Sequence, residues 1–234
     1  MPLSDHGRVP TMVVQRPDSF WREAAAAEQY EAGRFNSVWG RVYRTCEESA
    51  VGKALRMLEP GTTILDAACG TGRITGLVTR HGFRARGCDI SFEMMSVARR
   101  HRAALAPSGV LVQCEAGALP FRDASFDAVS CIGLLMHLDA PARAQVLREL
   151  ARVSRQWLIL QYGRPGLLQR TKASLTGRPA GGVQHPLDEA ELRADQQRAG
   201  LTELARFWVL RPLSTSVILV LSNRANVTAR ALAA

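Results

Sequence analysis

The chain has 234 residues, of which 47% are hydrophobic, and it carries a formal net charge of +9. Its length suits one domain that buries a sheet between two layers of helices, and no apolar run approaches the roughly 20 residues of a transmembrane helix. The charge comes almost entirely from dispersed arginines, a pattern that fits an anionic partner and a compositional bias equally well.

A helical lead-in is predicted over residues 1–60. Three prolines and no sustained periodicity mark residues 1–20, the alanine-rich stretch 20–30 favours a helix, and apolar residues at helical spacing predict a second helix over 38–58. A Glu-Pro-Gly turn then separates this lead-in from the main domain, which is expected to span 61–234.

Five strands are predicted to alternate with helices after this turn. The first strand begins at Thr62 and runs into the glycine-rich turn 69–72. The other four strands are predicted over 83–90, 110–116, 126–131 and 157–162, with helices over 73–81, after the N-cap Ser91, and after Asp139. The polar face of the last helix is predicted to be solvated, with Arg143, Arg148 and Arg152 on it.

The alternation of strands and helices stops after the fifth strand. Residues 163–186 are rich in glycine, proline and basic side chains and have almost no periodicity, which is typical of a functional or a disordered insert. Asp188 and Glu191 then predict a capping box for one more helix, and two apolar strands follow over 201–210 and 215–221. This order predicts an α/β fold, a Rossmann-like doubly wound seven-stranded sheet that is mostly parallel with one antiparallel strand near the C-terminus.

Three acidic residues stand at the ends of the first three predicted strands: Asp66, Asp89 and Glu115. In an open α/β sheet these ends line one crevice, so the carboxylates suit a ligand with an ammonium group, a ribose diol and an adenine amine, in that order. For Asp66 or Glu115 alone, a cap or turn carboxylate is the alternative. The glycines do not fit the dinucleotide fingerprint G-x-G-x-x-G, because the third, Gly76, comes one place too late.

Four motifs give this arrangement a family resemblance. ILDAACGTG, CDIS followed by two methionines, CEAGALPF and SFDAVSCIGLLMHL occur in this order between Thr62 and Leu160. In this combination the sequence resembles the class I S-adenosylmethionine-dependent methyltransferases, and within them the group that includes the quinone-biosynthesis type. The resemblance implies S-adenosyl-L-methionine as the cofactor.

The resemblance also implies which residues bind this cofactor. Beside the three acids, it implies contacts from the glycine loop and from the ends of the second, third and fourth strands, namely Ala68, Gly70, Gly72, Ile90, Ala116 and Cys131. Ala68 and Glu115 stand where the motif often has glycine and aspartate. In this family the region before the first strand often closes over the cofactor, so Tyr30 or Arg34 is expected to touch its carboxylate end, with an ordinary packed helix as the alternative.

Methyl transfer from a sulfonium is an in-line displacement that needs orientation and a dry cavity, and it needs a general base only when the accepting atom is protonated. His137, just beyond the fourth strand, and Tyr162, at the end of the fifth, are the catalytic candidates, followed by His185. A structural histidine is the commoner alternative for His137. The insert 163–186 mixes basic and apolar residues and is interpreted as a lid over a small-molecule or lipid-like acceptor, including one at a membrane surface.

Three other functions stay open: an RNA methyltransferase, an NAD(P)-dependent oxidoreductase and a non-catalytic S-adenosylmethionine-binding protein. The motif Ser130-Cys131-Ile132-Gly133 lacks the Asn-or-Asp-Pro-Pro-aromatic signature for methylating base amines, which disfavours nucleic acid. The five cysteines form no C-x-x-C pair and no zinc-ligand spacing, so buried reduced thiols are expected rather than a metal site. No secretory signal is visible in residues 1–10, which predicts a cytoplasmic protein.

Overall fold

The computed structural model describes residues 35–101, 111–164, 185–211 and 216–223. Within these ranges the helices are α1 (Val38–Leu55), α2 (Arg73–Arg80), α3 (Phe92–His101), α4 (Ala140–Val153) and α5 (Glu189–Arg198), and a 3-10 helix spans Leu135–His137. The strands are β1 (Thr63–Ala67), β2 (Arg84–Asp89), β3 (Leu111–Gln113), β4 (Phe126–Cys131), β5 (Ser154–Gly163), β6 (Leu201–Trp208) and β7 (Ser216–Asn223). None of these helices is long and apolar enough to cross a membrane. The helix predicted over 20–30, together with Tyr30 and Arg34, lies outside the described residues.

The strands form one seven-stranded sheet in the order β3-β2-β1-β4-β5-β7-β6. β1 to β5 are parallel, whereas β7 runs antiparallel to both of its neighbours, β5 and β6. The predicted fold is therefore confirmed, including the antiparallel strand near the C-terminus. The parallel strands end at one edge of the sheet, called the carboxyl edge below, and the strand order switches direction there between β1 and β4.

Helices cover both faces of the sheet. α1 and α2 pack on one face, where Val51 and Val78 are fully buried, and α4 and α5 pack on the other, where Leu147 and Leu192 are buried. These faces are called the α1 face and the α4 face below. Because α1 contacts α2, β6 and β7, the second helix of the predicted lead-in belongs to the same core as the sheet.

Three helices begin at the capping residues that the sequence predicts. Ser91 Oγ accepts a backbone N–H three residues further on at 3.1 Å, and the Asp139 carboxylate does the same at 3.0 Å. Asp188 and Glu191 form the predicted capping box, with both hydrogen bonds at 2.9 Å. Since the first N–H groups of a helix have no partner within it, these caps fix where α3, α4 and α5 begin.

The solvated face predicted for α4 is wrong for Arg143. Its side chain is buried, with Nε 2.5 Å from Asp195 Oδ2 of α5 and Nη1 donating to the Leu138 carbonyl at 2.9 Å. Arg148 on the same helix is exposed, as predicted. α5 covers the part of α4 that carries Arg143, and an arginine is tolerated in such a place because it is paired and hydrogen-bonded.

Candidate functional site

The turn after β1 folds into a bend of left-handed residues. Ala68, Gly70 and Gly72 have φ angles of 56°, 54° and 73°, and the Gly72 N–H donates to the Cys69 carbonyl at 2.9 Å. Glycine adopts this conformation without strain, whereas alanine at Ala68 costs about 1–2 kcal/mol. We call residues 68–72 the glycine bend. Its two glycines leave the backbone bare, as the close approach of a ligand requires.

Asp89 ties the tip of β2 to this bend. Its Oδ2 accepts from the Gly70 N–H at 2.7 Å and its Oδ1 accepts from the Ser91 N–H at 2.9 Å. Burial raises the pKa of Asp89, and the backbone hydrogen bonds from Ser91 and Gly70 oppose that rise. The side chain is half-buried, so the carboxylate supports the bend and is still partly accessible at the carboxyl edge.

Asp66 is buried beneath the bend. It is 1% exposed, and its carboxylate accepts from Thr75 Oγ1 of α2 at 2.6 Å and from Ser130 Oγ of β4 at 2.9 Å. Burial raises the pKa of Asp66 to about 6, although the hydrogen bonds from Thr75 and Ser130 and the charge of Arg73 lower it. Asp66 therefore joins β1, α2 and β4, and its contact with a ligand ammonium stays a prediction.

Glu115 lies in a turn past β3. This strand ends at Gln113, three residues earlier than predicted, because the Cys114 N–H donates to the Asp89 carbonyl at 2.9 Å and Gln113 Nε2 donates to the Ile90 carbonyl at 3.0 Å. The segments after β2 and β3 are thereby held side by side. The predicted base-contacting residues are all half-buried along them: Ile90, Glu115 and Ala116.

The two candidate histidines lie close together along the carboxyl edge. His137 ends the 3-10 helix after β4 and is half-buried. The His185 N–H donates to the carbonyl of Met136, the neighbour of His137, at 3.0 Å. Its Nε2 is buried and has no hydrogen-bond partner within the described ranges. The structure thus places the end of the insert against the 3-10 helix, and a catalytic role for either histidine stays a prediction.

Tyr162 and Cys131 are both fully buried at the strand ends. The Tyr162 hydroxyl has no hydrogen-bond partner among the described residues. Burial raises its pKa, so the hydroxyl is protonated at neutral pH. In this conformation Tyr162 can donate a hydrogen bond but is poorly suited to act as a base. Cys131 pairs in register with Ala67 of β1 and Leu160 of β5, so its backbone lies at the switch point of the sheet.

Cys69, Cys88 and Cys114 also lie at or beside strand ends, whereas Cys46 lies on α1. All five are free thiols, with Cys69, Cys88 and Cys131 buried and Cys46 and Cys114 half-buried. A hydrogen bond between Cys88 and Cys114 raises the pKa of Cys88 and lowers that of Cys114. Within the described ranges, no three His, Cys, Asp or Glu side chains come together as a metal ion would require.

A buried polar network that the sequence analysis missed lies beside the bend on the α1 face. Glu47 of α1 is fully buried and forms an ion pair with Arg73, the first residue of α2. The same carboxylate accepts from Gln161 Nε2 at 2.7 Å, and the Arg73 guanidinium lies 5.2 Å from the centroid of the Phe35 ring. Glu47 therefore joins α1 both to the residue that follows the bend and to the end of β5.

Two signals in the sequence could have indicated this network. Arg73 follows Gly72 directly, and Gln161 interrupts the apolar strand WLILQY. A polar side chain within a buried run needs a partner, because buried polar groups are rarely left without hydrogen bonds. Glu47 carries no such signal, since Glu48 beside it is an equally acceptable helix-surface acid.

Known proteins resemble this chain in the segment that carries the bend. A family model described as a methyltransferase domain matches residues 64–156, and a demethylmenaquinone methyltransferase from Thermobifida fusca is 40% identical over 96 residues, which are 41% of this chain and 40% of that protein. Residues 64–156 therefore carry a methyltransferase domain. A probable tRNA methyltransferase 9B from Bos taurus is 29% identical to this chain over 119 residues, which are 50% of this chain and 22% of that protein. The chain spans less than half of the length of these curated relatives.

Solved structures show the same methyltransferase fold. Magnesium protoporphyrin IX methyltransferase from Synechocystis PCC 6803 with bound SAH superposes with a TM-score of 0.66 at 20% identity, covering 80% of this chain and 87% of that one. A TehB-like SAM-dependent methyltransferase from Corynebacterium glutamicum gives a TM-score of 0.58 at 18% identity, covering 85% and 98%. At this identity the likeness concerns the fold.

Proposed function

We propose that this methyltransferase domain transfers a methyl group from S-adenosyl-L-methionine to a small-molecule or lipid-like acceptor. One observation carries the proposal: the half-buried Asp89 carboxylate at the tip of β2 is hydrogen-bonded at 2.7 Å to the backbone of the glycine bend. An acid and a bare backbone at the same point of the carboxyl edge suit a nucleoside whose ribose and amino-acid chain lie on either side of that point.

The residues at this edge fit the proposed cofactor. Asp89 would accept from the ribose hydroxyls, and Glu115, on the adjacent segment, would accept from the exocyclic amine of the base. Gly70 and Gly72 leave room for the amino-acid chain, because their left-handed backbone carries no side chain. These roles are proposals, as are the packing of Ile90 against adenine and the contact of the Cys131 backbone with the amino-acid part.

Methyl transfer requires little of the protein beyond the placement of the methyl donor and the acceptor. The sulfonium of the cofactor supplies an activated methyl group, and the chain has to hold the acceptor in line with it and exclude water. Ile132, Leu135 and Met136 follow β4 and are buried, so the end of this strand is apolar. His137, which comes next, is the proposed base for an acceptor whose atom arrives protonated.

Two exposed apolar residues at the carboxyl edge support an apolar acceptor. Tyr43 of α1 donates to Ser216 Oγ at 2.9 Å, and Ser216 pairs with Gly163 at the end of β5. The residues of α1 that precede Tyr43 therefore project beyond this edge, where Val38 and Trp39 are 64% and 67% exposed. Demethylmenaquinone and magnesium protoporphyrin IX, after which two related methyltransferases are named, are small molecules of this class.

Calorimetric titration with S-adenosylhomocysteine tests the cofactor part of the proposal. We expect the unmodified protein to bind it and Gly70→Val to lose binding, because a β-branched side chain is strongly strained at a φ of 54°. Gly61→Val is the matched control, since Gly61 is also left-handed, with a φ of 78°, but lies in the turn before β1. Equal binding by all three proteins, or none by the unmodified protein, would contradict the proposal.

A labelled methyl donor and fractionated cell extract test the acceptor part. We expect the label to appear in small molecules that partition into organic solvent. Label in RNA, with an affinity that falls steeply with salt, would instead support an RNA methyltransferase. Binding of S-adenosylhomocysteine without transfer to any fraction would support a non-catalytic cofactor-binding protein.

A further inference from the structure

The amide of Gln161 holds one hydrogen-bond acceptor that no described residue satisfies. Gln161 is 0% exposed, and its Nε2 donates to Glu47 Oε1 at 2.7 Å and to the Tyr43 hydroxyl at 3.2 Å. Its Oε1 has no partner among the residues that the structure describes. A buried carbonyl oxygen without a partner costs free energy, because it has lost its hydrogen bonds to water. Such an atom in a native fold calls for an explanation.

The orientation of this amide is fixed by its neighbours. Turning it over would place Oε1 against the Glu47 carboxylate at the present 2.7 Å, and an ionised carboxylate accepts hydrogen bonds but donates none. Tyr43 cannot turn its proton to Gln161 without giving up its 2.9 Å bond to Ser216 Oγ. The unsatisfied oxygen therefore keeps its position on the side of the amide away from Glu47.

Gln161 lies at the carboxyl edge on the α1 face of the sheet, where it contacts α1. Asp66, beneath the glycine bend, lies on the same face and contacts α2. Leu160 pairs with Cys131 at the end of β4, so Gln161 stands one residue beyond that pair. Glu47 links Gln161 to Arg73, which follows the bend directly. Arg73, Glu47 and Gln161 thus form a continuous polar layer from the bend to the end of β5. The unsatisfied oxygen belongs to this layer.

The charges of this layer favour a cation. Two buried carboxylates, Glu47 and Asp66, both interact with the Arg73 guanidinium, which forms the ion pair with Glu47 and acts on Asp66 through its charge. Glu48, the next residue of α1, lies 3.5 Å from Arg73 and 2.9 Å from Arg44. A ligand group placed here gains most when it is positively charged and carries N–H donors.

We infer that Gln161 Oε1 accepts a hydrogen bond from the α-ammonium group of the methyl donor, and that Glu47 is the positioning residue that aims it. The inference rests on the proposed function, because it assigns an atom to one end of the proposed cofactor. It adds to the strand-tip acids a recognition group on β5.

Titration with two ligands tests this assignment. S-adenosylhomocysteine carries the ammonium group, whereas 5′-methylthioadenosine has the same nucleoside without the amino-acid chain. Gln161→Met keeps the length of the side chain and removes the oxygen, so we expect its affinity for S-adenosylhomocysteine to fall about tenfold or more, the usual worth of a hydrogen bond to a charged group. Its affinity for 5′-methylthioadenosine should stay within about twofold of the unmodified protein.

Gln196→Met is the matched control. Gln196 is also buried, and its Nε2 donates to the Glu203 carboxylate at 3.1 Å, but it lies on α5 beside β6. We expect this variant to bind both ligands normally. Should Gln161→Met fail to fold, Gln161→Asn withdraws the oxygen by one methylene while keeping the amide, and the same selective loss is expected.

The outcomes separate this inference from the proposed function. If the unmodified protein binds both ligands and Gln161→Met changes both affinities by the same factor, or neither, the assignment to Gln161 is wrong and the proposed function stands. If the unmodified protein binds neither ligand, the proposed function fails and the assignment fails with it.

Discussion

The Asp89 carboxylate and the Gly70 backbone N–H meet at 2.7 Å, which locks the tip of β2 to the turn that follows β1. The second carboxylate oxygen accepts from Ser91, at the start of α3, at 2.9 Å. Asp89 therefore has a structural task in the free protein and a proposed task toward the ribose. The shape of the glycine bend and the proposed nucleoside contact depend on one side chain.

Asp89→Asn should weaken the binding of S-adenosylhomocysteine about 10–100-fold. The amide cannot accept from both Gly70 and Ser91, and it offers the ribose weaker hydrogen bonds than a carboxylate does. Calorimetric titration measures the loss. Asp127→Asn is the matched control, since Asp127 accepts from the Thr63 N–H at 2.9 Å at the opposite end of β1, and equal losses in the two variants would contradict the assignment.

The buried Asp66 makes the protein less stable as the pH rises. Its pKa is raised to about 6 in the folded protein from an ordinary value of 3.8, so the folded state binds more protons than the unfolded state between those values. The contribution of this group to the free energy of unfolding should fall by about 2 kcal/mol from pH 4.5 to pH 7.5 and stay level above pH 7.5. The pH range follows from the raised pKa.

Urea unfolding of Asp66→Asn at both pH values measures this contribution. Asparagine does not titrate, so the variant should gain about 2 kcal/mol relative to the unmodified protein between pH 4.5 and pH 7.5. The difference between the two proteins is the measured quantity, because other groups titrate equally in both. A difference that does not change with pH would show that Asp66 has an ordinary pKa.

Asp195→Asn should destabilise the protein by about 3 kcal/mol, because it leaves Arg143 buried without its anionic partner. The two residues are 2.5 Å apart on the α4 face. Asp123→Asn is the comparison, since Asp123 pairs with Arg152 at 2.7 Å but its side chain is 78% exposed. Urea unfolding should show a loss below about 1 kcal/mol for this exposed pair, and similar losses in both variants would argue against the buried pair.

Cys114 should react with iodoacetamide before Cys69, Cys88 and Cys131. It is half-buried and the hydrogen bond from Cys88 lowers its pKa, whereas burial raises the pKa of Cys69 and Cys131. Peptide mass spectrometry after brief labelling measures the order. Because Glu115 follows Cys114 directly, S-adenosylhomocysteine should slow the labelling of Cys114 and leave that of Cys46 on α1 unchanged; equal protection of both would contradict the placement of the base.

Local patterns were sufficient to predict the order of elements and the helix starts. Apolar runs between turn residues predict the strands, and Ser91, Asp139 and Asp188 mark helix N-termini because their side chains satisfy backbone N–H groups close by. β3 ends three residues earlier than its pattern predicts, since Cys114 bonds to Asp89, the last residue of β2, and Gln113 bonds to Ile90, the residue after it. A sequence window around residue 113 does not contain that neighbour.

Interactions between distant parts of the chain were not predictable in this way. The pattern of its own helix predicts Arg143 at the surface. It is buried because α5 covers it and pairs it with Asp195, which is 52 positions away in the sequence. Glu47 and Gln161 are 114 positions apart and meet because α1 lies over the end of β5. Helical periodicity shows which face of α1 is apolar, but which strand ends beneath that face depends on the topology.

The position of β7 has a consequence for synthesis of the chain. It lies between β5 and β6 and pairs with both, although its residues 216–223 leave the ribosome after theirs. Until then the nascent sheet presents the open side of β5, and β6 has no ladder partner, which exposes strand edges to neighbouring nascent chains. A nascent chain that has not yet released β7 is therefore expected to pair with other chains through the open side of β5.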